Sequence, residues 1–486
     1  MPNVNPWSVA REGVGCSSGP PEGERRDLSG RPGSLKLGNT GPLPSVVGAD
    51  LVVPLVGGGT ARYANLDHAA STPALSEAWE AVQAFVPWYS SVHRGAGFKS
   101  QVATAAYEAA RGPVREFVNG RPDDAVVFTR NTTDAVNLLA RCLPTGTTVI
   151  TTSAEHHANL LPWRRPGAIK LPVPASKDEA LRDIEAALQE RDAGSRALVA
   201  VTGASNVTGE VWPIGEIASL AHRHGARLFV DAAQLVPHRP LDVAGLDLDW
   251  VAFSGHKLYA PFGVGVLVGR MDWLAAAEPY LLGGGAATEV VGWSATWAGL
   301  PGRHEGGSPN VVGAVALAAA CAALRRAGMD EVAEQDRRLA GLLEATLERV
   351  PGLDVYSTWE GTVDRVAVRA FHVHGYDHAE VAAILSAEHG IGVRSGSFCA
   401  HPLLSHLAGA QAERDGGCGA HVPGAVRASL GLGSDDEDLQ RLGAALAELV
   451  REGPRWTYRR AADGSVEPVP DDRPWPSFSR MGRAAN

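Results

Sequence analysis

Cysteine is scarce: Cys16, Cys142, Cys321, Cys399 and Cys418 are the five in 486 residues, odd in number and widely spaced. No CxxC or Cys/His cluster has zinc spacing, which sets aside a disulfide-built scaffold and a structural metal site, so no metal is expected. Long apolar runs are missing too. The most apolar helix-like stretch, GAVALAAACAAL around Cys321, falls short of the roughly 18 residues that span a bilayer and reads as a buried helix. The first twenty residues carry Arg11 and Glu12 and no apolar signal core, so a reducing cytoplasmic setting is expected. Positive charge is not in excess: 44 basic against 54 acidic residues give a net charge of -10 and a pI near 5.9. That balance disfavours nucleic acid and anionic membranes as partners and leaves small molecules or proteins.

What is present is ordinary globular composition, 45% hydrophobic and 20% charged, long enough for about three domains at roughly 150 residues each. Residues 1–60 are dense in Gly, Pro, Ser and charge (SSGPPEGERR, SGRPGS, VGGGTARY) and read as an N-terminal extension. Residues 454–486, with PVPDDRPWPS, read as an extended tail. Between them, β-branched runs alternate with Ala/Leu-rich helical stretches, the pattern of a parallel sheet covered by helices. Strands are expected at 125–128, 148–152, 197–202, 227–230, 250–253 and 264–268, and helices at 134–141, 177–189, 214–224 and 312–326. From about Asp354 the rhythm changes: VDRVAVRAFHV, a helix over 378–389, IGVRSGSFCA, VRASLGL and an amphipathic helix over 436–451. The expected division is a large domain over 61–330, with 61–100 able to join the other half, and a smaller C-terminal α+β domain over 331–453.

In an open parallel sheet, ligands bind beyond the carboxyl ends of the strands. Those ends are rich here. After VVFTR come Asn131, Thr132 and Thr133 before a helix, either a simple N-cap or an anion site of hydroxyls and free N–H groups. The strand over 148–152 leads to His156 and His157, adjacent and pointing apart, so a shared metal is disfavoured. Asp231 ends another strand, with Gln234 following; the carboxylate suits a helix cap, a metal ligand or a partner for a ring nitrogen. The strand over 250–253 runs into Ser254, Gly255, His256 and Lys257. A lysine pressed against a strand end can lose its proton, as an imine-forming amine must. Taken together, these groups suit pyridoxal 5'-phosphate, with Lys257 for the aldehyde and Asp231 for the pyridinium nitrogen.

From about Tyr63 to Arg451 the chain resembles the fold type I, class V pyridoxal-phosphate enzymes, and within them group II cysteine desulfurases and selenocysteine lyases. The resemblance lies in ANLDHAAST, SVHRG, FTRNTTDAVN, EHHANLLPW, SNVTGE, VDAAQ, FSGHKLYAPFGVG, HEGGSPN, VRSGSFCAHP and VRASLG, in this order. It implies an α/β, aminotransferase-like fold with a mainly parallel seven-stranded sheet and a smaller C-terminal domain. It implies that Lys257 is the Schiff-base lysine, Asp231 the pyridinium partner, Gln234 a donor to the cofactor's phenolic oxygen, and His156 a stacking group and proton shuttle. Thr132, Thr133, Ser254 and His256 would hold the phosphate, joined by Ser308 from the second subunit of a homodimer with shared active sites. Arg427 would grip the substrate carboxylate, with Asn206, also expected to touch the cofactor, and Arg394, His93 and Arg94 on the substrate side. Cys399 would take sulfur from cysteine as a persulfide, leaving alanine, and a protein acceptor would collect it.

The sequence departs from the family where Ser397 and Phe398 stand in place of polar residues, including His, and where a long AQAERDGGCGAH stretch separates Cys399 from Arg427. The resemblance, with Cys399 in its motif, gives as the expected function a cysteine desulfurase acting on L-cysteine or a derivative. The alternatives are a C–S lyase giving pyruvate and ammonia, a class V aminotransferase or epimerase, and, least favoured, a non-enzymatic scaffold.

Overall fold

The computed structural model describes residues 43–192, 194–361, 363–414 (side chains to 409) and 424–478. Cys16, Cys418 and the AQAERDGGCGAH stretch beyond Arg414 lie outside the described residues, as does most of the N-terminal extension.

Seven strands form the large sheet, in spatial order Ala125–Thr129, Gly265–Gly269, Trp250–Ser254, Arg227–Asp231, Ala197–Thr202, Thr148–Thr152 and Ile169–Leu171. Only Gly265–Gly269 runs antiparallel to its neighbours; the remaining pairings are parallel. The sheet is buried on both faces, as an almost wholly parallel sheet must be. Alternate residues of the Arg227–Asp231 strand show how: Leu228 and Val230 enter one core with Phe253 and the Val311–Ala327 helix, whereas Phe229 points to a second core with Trp163, Trp250 and Trp273.

The Val311–Ala327 helix is the Ala-rich stretch expected to be buried, and it is apolar almost all round. The other expected helices form at Thr132–Cys142, Lys177–Glu190 and Ile214–Arg223. Unanticipated are the Ile169–Leu171 strand, too short for a pattern, and the amphipathic Met329–Glu348 helix.

Past residue 350 a four-stranded antiparallel sheet follows, in order Leu353–Val355, Val368–Val373, Ala425–Ser429 and Arg394–Gly396. Helices His378–His389 and Asp436–Glu452 pack in its core with Phe371, Leu385 and Leu446. Leu66 shares this core, and Ala64 and Asn65 pair in parallel with Ile391 and Gly392. The segment around residue 65 therefore joins the C-terminal core, and Asp67 forms a bridge to Ser429 of the four-stranded sheet.

Two segments that composition assigns to an extension and a tail contain paired strands. Val52–Pro54 pairs with Thr60–Arg62, and Tyr458–Arg460 with Val466–Pro468. The second hairpin is anchored because the Glu388 carboxylate accepts the N–H groups of Arg455 and Trp456 and the Tyr458 hydroxyl. Strands of three residues are too short to show a periodicity in the sequence. Among the described residues no single helix is long and apolar enough to cross a membrane.

Candidate active site

Beyond the carboxyl ends of the large-sheet strands lies a cavity of about 260 Å³. It gathers Thr132, Thr133, His156, Asn206, Asp231, Gln234, Ser254, His256, Lys257, Arg394, Cys399 and Arg427. Twelve of the fifteen candidate residues thus meet in one place, although they come from segments spread over about 300 positions.

The anion end is built first by local structure. Asn131, not a threonine, caps the Thr132–Cys142 helix, its side chain accepting the Asp134 N–H at 3.0 Å. Thr132 is thereby freed for the cavity: its N–H donates to Ser254 Oγ at 2.8 Å, and the two hydroxyls lie 2.7 Å apart. Helix N–H groups and hydroxyls converging on one end form a cradle for a phosphate dianion. The close approach requires Gly265 on the neighbouring strand, where a β-carbon would stand 2.5 Å from Asn131 Cα.

At the centre, Lys257 ends a short turn after Ser254. Complete burial lowers its amine to about 8, against the opposing pull of Asp231. Burial pushes the Asp231 carboxyl up, opposed by the Ala233 N–H, which donates at 3.0 Å, and by Lys257. A buried carboxylate with spare acceptor capacity facing a cavity matches a protonated ring nitrogen, which would restore its charge balance. Gln234 gives one of its N–H bonds to the Ala69 carbonyl at 2.7 Å, so its amide is fixed in orientation. His156 caps the next short helix by accepting the Ala158 N–H at Nδ1, 3.0 Å away. Burial and the Lys257 charge lower its imidazole to about 3, so the ring is neutral with its proton on Nε2. A flat neutral ring, a carboxylate, an amine and a phosphate cradle in one cavity fit pyridoxal 5'-phosphate.

On the opposite wall stands Arg427, fully enclosed, its guanidinium lowered to about 10 by burial despite Asp67. Nη1 donates to the Asn206 carbonyl at 2.9 Å and Nη2 to Asp67 Oδ1 at 3.3 Å, while Nε is buried without a partner. Arg394 lies opposite Arg427 in strand register, a like-charge pairing that costs stability unless balanced. Asp67 supplies the balance, 3.9 Å from Arg394. Cys399 is exposed on the turn after Arg394–Gly396.

His93, Arg94 and Ser308 do not line this cavity. His93 is exposed and its Nε2 meets Glu108 at 2.9 Å; Arg94 and Ser308 are exposed as well. Two further residues, to which the sequence reading assigned no role, support the site from outside its lining. Asp67 partners both arginines, a task its position in ANLDHAAST does not signal. Glu155 is fully buried and accepts the Thr202 N–H at 3.0 Å and the Asn159 amide at 2.7 Å. Burial raises that carboxyl to about 8; its only sequence signal is its place directly before His156.

The class-V aminotransferase family model matches residues 64–442. Among curated relatives, a probable cysteine desulfurase of Halalkalibacterium halodurans is 35% identical over 78% of this chain and 91% of its own length. A cysteine desulfurase of Cronobacter sakazakii is 36% identical over 80% of this chain and 93% of its own. Among solved structures, the apo cysteine desulfurase of Thermococcus onnurineus superposes with a TM-score of 0.71 at 31% identity, covering 80% of this chain and 95% of that one. The cysteine desulfurase CsdA of Escherichia coli gives 0.67 at 34% identity, covering 79% and 94%. A match that runs through both sheets and every strand end of the cavity leaves one assignment: the chain belongs to the class-V aminotransferase family.

Proposed function

We propose that this protein is a pyridoxal 5'-phosphate-dependent cysteine desulfurase that converts L-cysteine to alanine and passes the sulfur through Cys399. The observation that carries the reading is the convergence of Lys257, Asp231, His156, Arg427 and Cys399 on one cavity, in a chain whose relatives carry that name.

Pyridoxal 5'-phosphate, when bound, supplies an electron sink for chemistry at the α-carbon of an amino acid. The chain's own residues do the rest. Thr132, Thr133, Ser254 and His256 would hold its phosphate, Asp231 would partner its ring nitrogen, and His156 would stack against its ring. Lys257 offers an amine lowered to about 8, available in neutral form as the attachment point and as a base for the α-proton. Arg427 orients the substrate through its carboxylate, a task suited to a planar fork whose Nε lacks a partner. The Cys399 thiolate would then attack the substrate sulfur: an S–S bond forms, the substrate Cβ–S bond breaks with its electron pair left on carbon, Cβ takes up a proton and the α-proton is returned to give alanine, and Cys399 keeps the sulfur as a persulfide. A protein thiol is the proposed acceptor, and its approach needs the exposed position that Cys399 occupies.

The second copy of the chain belongs to this reading as well: we take the enzyme to be a homodimer in a reducing, cytoplasmic setting, with Ser308 delivered to the partner's phosphate end. Ser308 is exposed and outside its own cavity. The deciding experiment is product identity from the cofactor-loaded protein with L-cysteine and a reductant. Alanine with sulfide, lost in Cys399→Ala while the cofactor band stays, is the expected result. Pyruvate with ammonia would make the protein a C–S lyase instead.

A further inference from the structure

The turn that carries Cys399 is built unusually. Phe398 and Cys399 both have φ near 52°, left-handed backbone that residues with a β-carbon avoid, and two in succession persist only where surroundings hold them. Three hydrogen bonds, one of them from the Asn206 side chain, hold this pair. The Asn206 amide donates to the Phe398 carbonyl at 2.9 Å, His157 N–H to the Cys399 carbonyl at 2.7 Å, and Ala400 N–H to the Ser397 carbonyl at 2.9 Å.

The same turn is tied to Arg427 by two routes. The Phe398 ring lies over the guanidinium, 4.9 Å from ring centroid to Cζ, a cation–π contact in an enclosed site. Asn206 closes the loop, because its carbonyl accepts Arg427 Nη1 at 2.9 Å while its side chain holds Phe398. Arg427, Asn206 and Phe398 thus form a ring of contacts, and the nucleophile is the next residue along the chain. Arg427 keeps one buried donor, Nε, without a partner.

We propose that Phe398 is a positioning residue that couples carboxylate binding at Arg427 to the placement of Cys399. This inference rests on the reading of Arg427 as the carboxylate grip. A carboxylate arriving at Arg427 must bond a guanidinium already covered by Phe398 and tied to Asn206, so the arginine cannot shift without moving the ring. Because the two left-handed residues are held by their surroundings, a shift of the ring is passed to Cys399 rather than absorbed locally. The sulfur is then set for attack when an amino acid is engaged, and held differently when it is not. Phe398 acts through Arg427 and Cys399 and touches no reacting bond.

The test uses the cofactor-loaded enzyme and acetate, with acetamide as the uncharged molecule of the same shape. Acetate is raised until it half-inhibits L-cysteine turnover, and alkylation of Cys399 by iodoacetamide is followed by mass spectrometry of its peptide. Wild-type protein is expected to change its Cys399 alkylation rate at least threefold with acetate and not with acetamide. Phe398→Leu should bring that ratio to one, and Phe398→Tyr, which keeps the aromatic face, should restore it. An acetate response equal in Phe398→Leu and wild type, or none in wild type at the half-inhibiting concentration, overturns the coupling. Acetate that never inhibits turnover removes the carboxylate reading of Arg427 beneath it, whatever the product assay shows.

Discussion

Lys257 shows how far a single side chain is tuned by its place. An exposed lysine is protonated throughout the neutral range, but here burial outweighs the attraction of Asp231 and brings the amine to about 8. The sign has a direct consequence for loading. Below pH 8 the buried amine is mainly a cation and cannot attack an aldehyde; above it the neutral form dominates. Protein stripped of cofactor is expected to regain its visible absorption band about tenfold faster at pH 7 than at pH 6, with the rate levelling off above the midpoint. A rate flat from pH 6 to 9, followed by stopped-flow absorbance, would contradict this. Lys257, Asp231 and Arg427 were legible in the sequence because each sits in a short motif. The role of Asp67 was not, since its task is to balance two arginines from strands that follow it by hundreds of positions.

At the scale of elements, the site depends on how closely a loop can approach a neighbouring strand. Gly265 lets the Asn131 backbone lie against it, so Gly265→Ala forces the loop outward from a contact of 2.5 Å. Overpacking of this kind costs about 1–3 kcal/mol, and the cradle formed by Thr132 and Ser254 opens with it. A lower melting temperature together with weaker retention of cofactor is expected, measured by thermal unfolding and by dialysis; a melting shift without cofactor loss would separate the two effects. The large-sheet strands and the helices after them were readable because β-branched runs and helical periodicity repeat locally. The hairpin pairing Tyr458–Arg460 with Val466–Pro468 was not, because what fixes it is the buried Glu388 carboxylate rather than its own pattern. The same holds for the helix cap, where Asn131 rather than Thr132 accepts the N–H, a choice set by the pairing of Thr132 with Ser254.

On the scale of the whole molecule, the hairpin formed by Ala287–Val291 and Ser294–Trp297 exposes Val290, Val291 and Trp293, the last of these completely. An apolar projection of this kind marks an association surface, and the proposed dimer gives it a partner. Light scattering is expected to give twice the 50.9 kDa of one chain, with Trp293→Ser shifting the mass toward one chain and weakening cofactor retention. A single-chain mass for the wild type, with full activity, would remove the shared-site reading of Ser308. The bridge between Asp67 and Ser429 bears on a different matter, the order in which a growing polypeptide can finish its work. Arg427 meets Asp67 across 360 positions of sequence, a long-range closure that comes late in folding. During synthesis the Lys257 end of the cavity is complete in sequence well before the carboxylate grip is made. A nascent chain halted between the two would hold Lys257 and Asp231 but lack the arginine that grips the substrate carboxylate.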